Sequence, residues 1–183
     1  MRVSREKVGE QRDRMVAAAG RLLLQRGFDG VTVGEAMKSI GRTHGAFYAY
    51  FASKDDLAKA ACEVLVRPGP SVKSADTLAD YVKLYLSPDH RDRVADDCPF
   101  ASLGAEAVRQ APEIRHVLSE GLRDAIDRLA QIAPGDGPTE RRRAAVGAWS
   151  TMVGTLILAR LTEDPQLSQE ILEVNRGTIV PTG

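Results

Sequence analysis

Apolar residues recur along this chain at the three- and four-residue spacing of helices, and the breaks between runs fall at glycine and proline. Met15, Ala18, Ala19, Leu22 and Leu23 share one face of a first helix that ends at Gly27, from where Phe28 can fold back on the same core. Thr32 followed by Glu35 is a capping box, and Val33, Ala36, Met37 and Ile40 then form an inward stripe that Gly41 closes. A third helix is expected from near Thr43 through Tyr50, anchored by Phe47 and Phe51. Ser53 with Asp56 caps a fourth, with an inner face of Leu57, Ala60, Ala61 and Val64, and it stops before Pro68-Gly69-Pro70.

Beyond the proline pair, Leu78, Tyr81, Val82 and Tyr85 mark another amphipathic helix that Ser87-Pro88-Asp89 ends, and a charged segment from Asp89 to Asp97 crosses to the next. Pro99 and Pro112 each sit at the first position of a helix, where a missing N–H costs nothing. The first of these carries Phe100, Leu103 and Val108 inward, the second Ile114, Val117, Leu118, Leu122, Ile126 and Leu129. After the loop Pro134–Pro138, a helix from about Thr139 to Leu161 is apolar around most of its circumference, and a shorter one with Leu167, Ile171 and Leu172 follows, with a loose tail after Asn175. A helix apolar on all sides needs two partners, so this one is expected to face its own core and a second subunit, together with the helix before it. No segment alternates convincingly with the period of a strand, which predicts an all-α chain.

With 183 residues the chain can hold a small unit and a larger, core-bearing one, and the proline pair puts the boundary between 1–66 and 67–183. Net charge is zero, which alone argues against a nucleic-acid partner, but residues 1–66 carry eleven Lys and Arg against eight Asp and Glu, or +3, and the remainder fourteen against seventeen, or −3. The basic end is the end that carries the motif described next. Cys62 and Cys98 form no Cys-x-x-Cys pair and the charged start Met1–Lys7 lacks a signal peptide's apolar segment, so a reduced, cytoplasmic setting is expected. The longest uncharged stretch, Ala144–Ala159, is shorter than the ~20 residues a bilayer requires and holds Gly147 and Gly154, so no membrane partner is expected. His44, His90 and His116 lack ligand spacing, and no nucleophile elbow, phosphate loop or dinucleotide glycine pattern occurs, so neither a metal, a cofactor nor catalysis is expected.

Two short capped helices meeting at a glycine turn, with an aromatic run behind them, have the build of a helix-turn-helix DNA reader. Thr43, His44 and Tyr48 face away from the Phe47 and Phe51 anchor and offer donors and an aromatic suited to phosphates and base edges. At these residues the chain resembles the tetracycline-repressor-like (TetR/AcrR) family of bacterial transcription regulators. The resemblance covers about residues 10–66 and runs without a gap through Gly27-Phe28, Thr32-Val33, Gly41, Gly45-Ala46-Phe47-Tyr48, Phe51 and Ser53-Lys54. It implies that Gly45 allows close approach, that Tyr48 touches the backbone or a thymine methyl, and that Lys54 pairs with a phosphate; Thr32 and Tyr50 belong to the same expected set. Arg42 stands where the family usually has a small apolar residue and is expected to reach a phosphate. His44 replaces a common lysine or arginine and Ala49 a common polar residue, which leaves base preference open.

The resemblance also implies a homodimeric, ligand-responsive regulator, most simply a repressor, with an N-terminal three-helix reader and a C-terminal antiparallel helical domain for ligand binding and dimerisation. Its partners would be palindromic operator DNA and a largely apolar small-molecule effector. Activation stays open, as does a small helical ligand-binding or accessory protein that no longer binds DNA, which the missing cations at positions 44 and 49 would fit. Tyr81, Tyr85, Phe100, Leu103, Trp149 and Met152 recur on inward faces, where plain core packing explains them; the resemblance points to an effector pocket. The stretch from Cys98 to Gly104 resembles a cysteine-containing helix start in one branch of the family, some of whose members sense electrophiles there. A helix N-terminus favours a thiolate while Asp96 and Asp97 oppose one, and a packed or capping thiol is the alternative.

Overall fold

The computed structural model describes residues 5–68, 75–96 and 98–180. Among them are nine α-helices and two 3-10 turns: α1 (Arg5–Arg26), α2 (Val33–Ser39), a 3-10 turn (His44–Ala49), α3 (Lys54–Leu65), α4 (Leu78–Tyr85), α5 (Pro88–Asp92), a second 3-10 turn (Val94–Asp96), α6 (Pro99–Ala107), α7 (Pro112–Ile132), α8 (Pro138–Leu161) and α9 (Pro165–Ile179). No strand occurs among the described residues. The expected break at Gly69-Pro70 and the end of the charged segment at Asp97 lie outside them.

Two cores organise the helices. The first gathers Met15, Leu23, Phe28, Val31, Met37, Phe47, Phe51, Leu57 and Cys62 from α1 to α3, and continues without interruption into Leu103 and Ala107 of α6 and Ile114 and Leu118 of α7. The second joins α4, the later part of α7, α8 and α9 through Leu78, Val82, Leu129, Met152, Leu156 and Leu172. With 21 residues, α7 is about 30 Å long, and it reaches from one core to the other.

Several inward positions differ from the periodic expectation, each because docking rotates an element. Val64 is 45% exposed, since at the end of α3 the inward role passes to Leu65, which packs on Gly20 of α1, and to Val66, which packs on Gly121 of α7. On α7 the buried face runs Ile114, Leu118, Gly121, Ala125 and Leu129, leaving Leu122 exposed, and Val108 lies in the open just past α6. The charged crossing from Asp89 is partly helical: the Ser87 hydroxyl accepts the His90 N–H at 3.1 Å to cap α5, and Arg160 donates to the His90 and Arg91 carbonyls at 2.8 and 2.9 Å. The end of the chain stays helical through Ile179, held at its start by the Asp164 carboxylate, which accepts the Gln166 and Leu167 amides.

α8 buries Ala145, Ala148, Trp149, Met152, Leu156 and Ala159 between α7 and α9 and leaves Val146, Ile157, Leu158 and Leu161 exposed. By length and composition alone this 24-residue helix could span a membrane, although Arg141, Arg142 and Arg143 lie in its first turns and Arg142 pairs with Asp127 of α7.

The α3–α7 contact gives a direct stability test. A Cβ on Gly121 would lie 2.5 Å from the Val66 Cβ, and neither helix can yield without moving the first core. Gly121→Val should therefore destabilise the protein by about 1–3 kcal/mol, read from chemical denaturation, whereas valine at Gly147, which has open space around it, should cost much less.

Candidate nucleic-acid interface

α2 begins where Thr32 Oγ1 accepts the Glu35 N–H at 3.2 Å. The other half of the expected box is different: the Thr32 hydroxyl donates to Glu35 Oε2 at 2.9 Å, and Arg26 Nη1 donates to Glu35 Oε1 at 2.7 Å. Those bonds, Arg26 first and Thr32 second, hold the Glu35 carboxyl below its ordinary value. The expected DNA-facing Thr32 therefore has its hydroxyl committed to the start of α2. At the other end Gly41 takes φ +67°, its N–H donates to Lys38 O at 3.1 Å and the Arg42 N–H to Met37 O at 3.0 Å. This is the complete Schellman pair of bonds, and it reverses the chain toward the reading segment.

That segment, His44–Ala49, is a 3-10 turn rather than the expected α-helix through Tyr50. Thr43 makes no side-chain capping bond, Gly45 weakens helix propensity, and the Tyr50 N–H closes an i to i+3 bond on Phe47 O at 2.9 Å. Burial of Phe47 fixes the turn: its ring lies 6.0 Å from Phe51 and meets Tyr48 edge to face at 5.5 Å. Arg42 and Thr43, just before the turn, and His44 and Gly45 on it are exposed, as is Tyr48, at 71%. Gly45 has no positive φ, and a Cβ there would meet nothing within 4 Å, so the fold itself does not require glycine.

Of the remaining expected contacts, Lys54 is half-buried at the first position of α3, behind the cap in which Ser53 Oγ accepts the Asp56 N–H at 3.0 Å. Tyr50 turns inward, its hydroxyl donating to Gln11 Oε1 at 2.6 Å. Gln11 and Arg12, whose guanidinium carbon lies 4.8 Å from the Phe51 ring centre, thus brace the reading turn from α1. Both continue the inward stripe of Met15, Ala18, Ala19, Leu22 and Leu23 one turn toward the start of α1, so their spacing carried the signal and their polarity hid it.

In the second core, Tyr81 and Tyr85 stack at 6.2 Å, Trp149 lies 5.6 Å from Tyr85, and Phe100 meets Trp149 edge to face at 5.8 Å. Met152 is fully buried in the same core, while Leu103 belongs to the first one. Trp149 Nε1 is buried with no acceptor among the described residues. Beside Phe100 a cleft of about 480 Å³ opens between α6 and α7, lined also by Pro99, Ala107, Leu118 and Arg115. Burial, with Cys98 nearby, pushes the Tyr81 hydroxyl up. Cys98 is half-buried at the N-cap of α6, and Cys62 is fully buried, its thiol pushed up to about 12 by desolvation. No cluster of three or more metal-ligating side chains occurs among the described residues.

This turn, anchored from behind and exposed in front, defines a helix-turn-helix protein. Residues 15–61 match the family described as bacterial regulatory proteins, tetR family. An uncharacterized HTH-type transcriptional regulator of Mycobacterium tuberculosis is 30% identical over 173 residues, covering 84% of this chain and 86% of that protein. The HTH-type transcriptional repressor NemR of Escherichia coli K12 is 26% identical over 133 residues, covering 67% and 66%. Among solved structures, the reduced form of Escherichia coli NemR superposes with a TM-score of 0.71 at 21% identity, over 93% of this chain and 95% of that one. A TetR-family regulator from Cytophaga hutchinsonii reaches 0.76 at 18% identity, over 98% and 96%. The chain belongs to the tetR family and is a DNA-binding transcriptional regulator with an N-terminal helix-turn-helix and a C-terminal helical domain.

The two thiols should separate chemically. A thiolate-seeking disulfide reagent at pH 8 should titrate Cys98 in the native protein and reach Cys62 only after denaturation, because so high a thiol pKa leaves almost no thiolate. Two equally fast thiols in the native state would contradict the packing of α3.

Proposed function

We propose that the protein is a homodimeric, ligand-responsive transcription repressor of the cytoplasm, in which residues 1–66 read DNA and residues 67–183 bind the effector and dimerise. The observation that carries this reading is the exposed set Arg42, Thr43, His44, Gly45 and Tyr48, just before and on a turn whose opposite side is locked into the first core. Gly45 lets the turn approach the duplex, Tyr48 contacts backbone or a thymine methyl, and Arg42 and Lys54 pair with phosphates, which position the protein without reading sequence. Thr43 and His44 are the base-reading candidates. Thr32 and Tyr50 act indirectly, by holding α2 and the reading turn. Repression is supported by the name of NemR, a transcriptional repressor.

The exposed apolar residues of α8, Val146, Ile157, Leu158 and Leu161, together with Leu167 and Val174 of α9, support a two-fold interface. α9 thereby takes the place beside α8 that periodicity gave to the preceding helix. Two readers related by that axis would enter successive major grooves about 34 to 36 Å apart. The effector site is built around Tyr81, Tyr85, Phe100, Trp149 and Met152, with Leu103 behind α6, and the cleft beside Phe100 gives access to it. Trp149 Nε1, without an acceptor among the described residues, offers a polar contact in that apolar setting, and a regulator of the same fold from Saccharomonospora viridis is in complex with choline. An effector that fits one arrangement of these helices better than another shifts α3, whose end rests on Gly121, and with it the reader spacing. Cys98, at the start of the Phe100 helix, is a sensing thiol within this scheme.

Duplexes selected by the wild-type protein from a random pool test the reading. Tyr48→Ala and Lys54→Ala should weaken binding without lowering the melting temperature, and Lys54→Ala should lower the slope of log affinity against log salt by about one unit. Unchanged binding of Lys54→Ala at several salt concentrations removes its phosphate role. For assembly, light scattering at micromolar concentration should give a dimer, and Leu158→Glu with Leu161→Glu should give a monomer; a monomeric wild type refutes the two-groove mechanism.

A further inference from the structure

The end of α1 is built differently from the end of α2. Gly27, at φ +72°, donates its N–H to Leu23 O at 2.8 Å, the single bond of the αL cap. A Schellman cap would also use the following amide, as Arg42 does after Gly41, but the Phe28 N–H turns away from α1. It donates instead to Glu106 Oε2 at 2.9 Å, across 78 residues of sequence. The carboxylate lies so close over Gly27 that a Cβ there would stand 2.4 Å from Glu106 Oε1. Charge does not explain the placement, because a helix C-terminus repels an anion and the nearby Arg26 is paired with Glu35. The fit is a hydrogen bond that the open cap of α1 leaves available.

Glu106 lies near the end of α6, and Phe100, six residues earlier, is near its start against Trp149. The two side chains are about 9 Å apart along one short helix. α6 therefore joins the aromatic cluster at one end to the reader's first helix at the other, by a route that does not pass through α3.

We propose that Glu106 is a positioning residue for DNA binding, a strap on the Phe28 amide through which α6 fixes α1 relative to the aromatic cluster. This rests on the regulator reading above. Because coupling between two sites is reciprocal, DNA binding at the reader must be felt at Trp149, the only tryptophan in the chain.

The test is a titration of Trp149 emission with a duplex that the wild-type protein selects from a random pool. Wild-type emission should change on binding. Glu106→Ala should bind the duplex on the order of tenfold more weakly and lose the emission change at saturating DNA, while Glu106→Gln, which keeps an acceptor oxygen, should restore both. In the free wild-type protein, hydrogen exchange at the Phe28 amide should be slow, a readout that stands even where Glu106→Ala fails to fold. The strap is overturned by a fast-exchanging Phe28 amide, by a wild type that binds its duplex with no change in emission, or by a folded Glu106→Ala that keeps wild-type affinity and response. A wild type that selects no duplex instead overturns the regulator reading, and the strap's role falls with it.

Discussion

A folding unit of about 60 residues buries only roughly 60% of the surface its unfolded chain exposes, which leaves it marginally stable. The reader of this protein is of that size, and α6 and α7 make up what it lacks. Leu103 and Ile114, both essentially inaccessible, stand in the same core as Met15, Met37 and Phe47. The boundary between reader and remainder is continuous in packing even where it is distinct in chain order. Any displacement of α6 or the first half of α7 must therefore be paid in the reader's own core, which is close-packed and does not deform gradually.

The same constraint explains the glycines at the junction. Gly20 and Gly121 receive Leu65 and Val66, so the end of α3 is gripped from both sides by helices that approach closely. α3 is capped at its start by Ser53, next to the 3-10 turn of the helix-turn-helix, and gripped at its end, so the element between that motif and the helical domain is short and fixed at both ends. With α1 held at Phe28 by Glu106 and packed as well on the second 3-10 turn, the reader meets the helical domain through α1 as well as through α3, and a motion of one without the other would twist it.

Much of this was legible because helix ends are written locally. Thr32, Gly41, Ser53, Pro99 and Pro112 mark boundaries through bonds or dihedrals within a few residues, and each boundary lies where those residues put it. The exposed set from Arg42 to Tyr48 was legible for the same reason, once Phe47 and Phe51 were recognised as the anchor. What escaped depends on partners far away in sequence. Tyr50 points inward because Gln11 is there, 39 residues earlier, and Val64 points outward because two distant glycines admit its neighbours. Leu103 belongs to the first core although its own helix carries Phe100 into the second. Residue spacing along one helix could not divide that helix between two cores. The 3-10 form of the reading segment was hidden too, since six residues are too few for a period of three to be told from one of 3.6.

That 3-10 form has an outcome for how the protein can change over time. Residues three apart eclipse one another in such a turn, so Gly45 and Tyr48 stand in one row on the exposed side. A Cβ at position 45 would meet nothing within 4 Å, but a longer side chain there would share one row of exposed surface with the Tyr48 ring, so the two positions are neighbours on the face of the turn. Where this turn lies against a duplex, as proposed, a change at one position alters the surface that the other presents to it, and two descendants of this gene that differ at one of these positions should more often differ at the other.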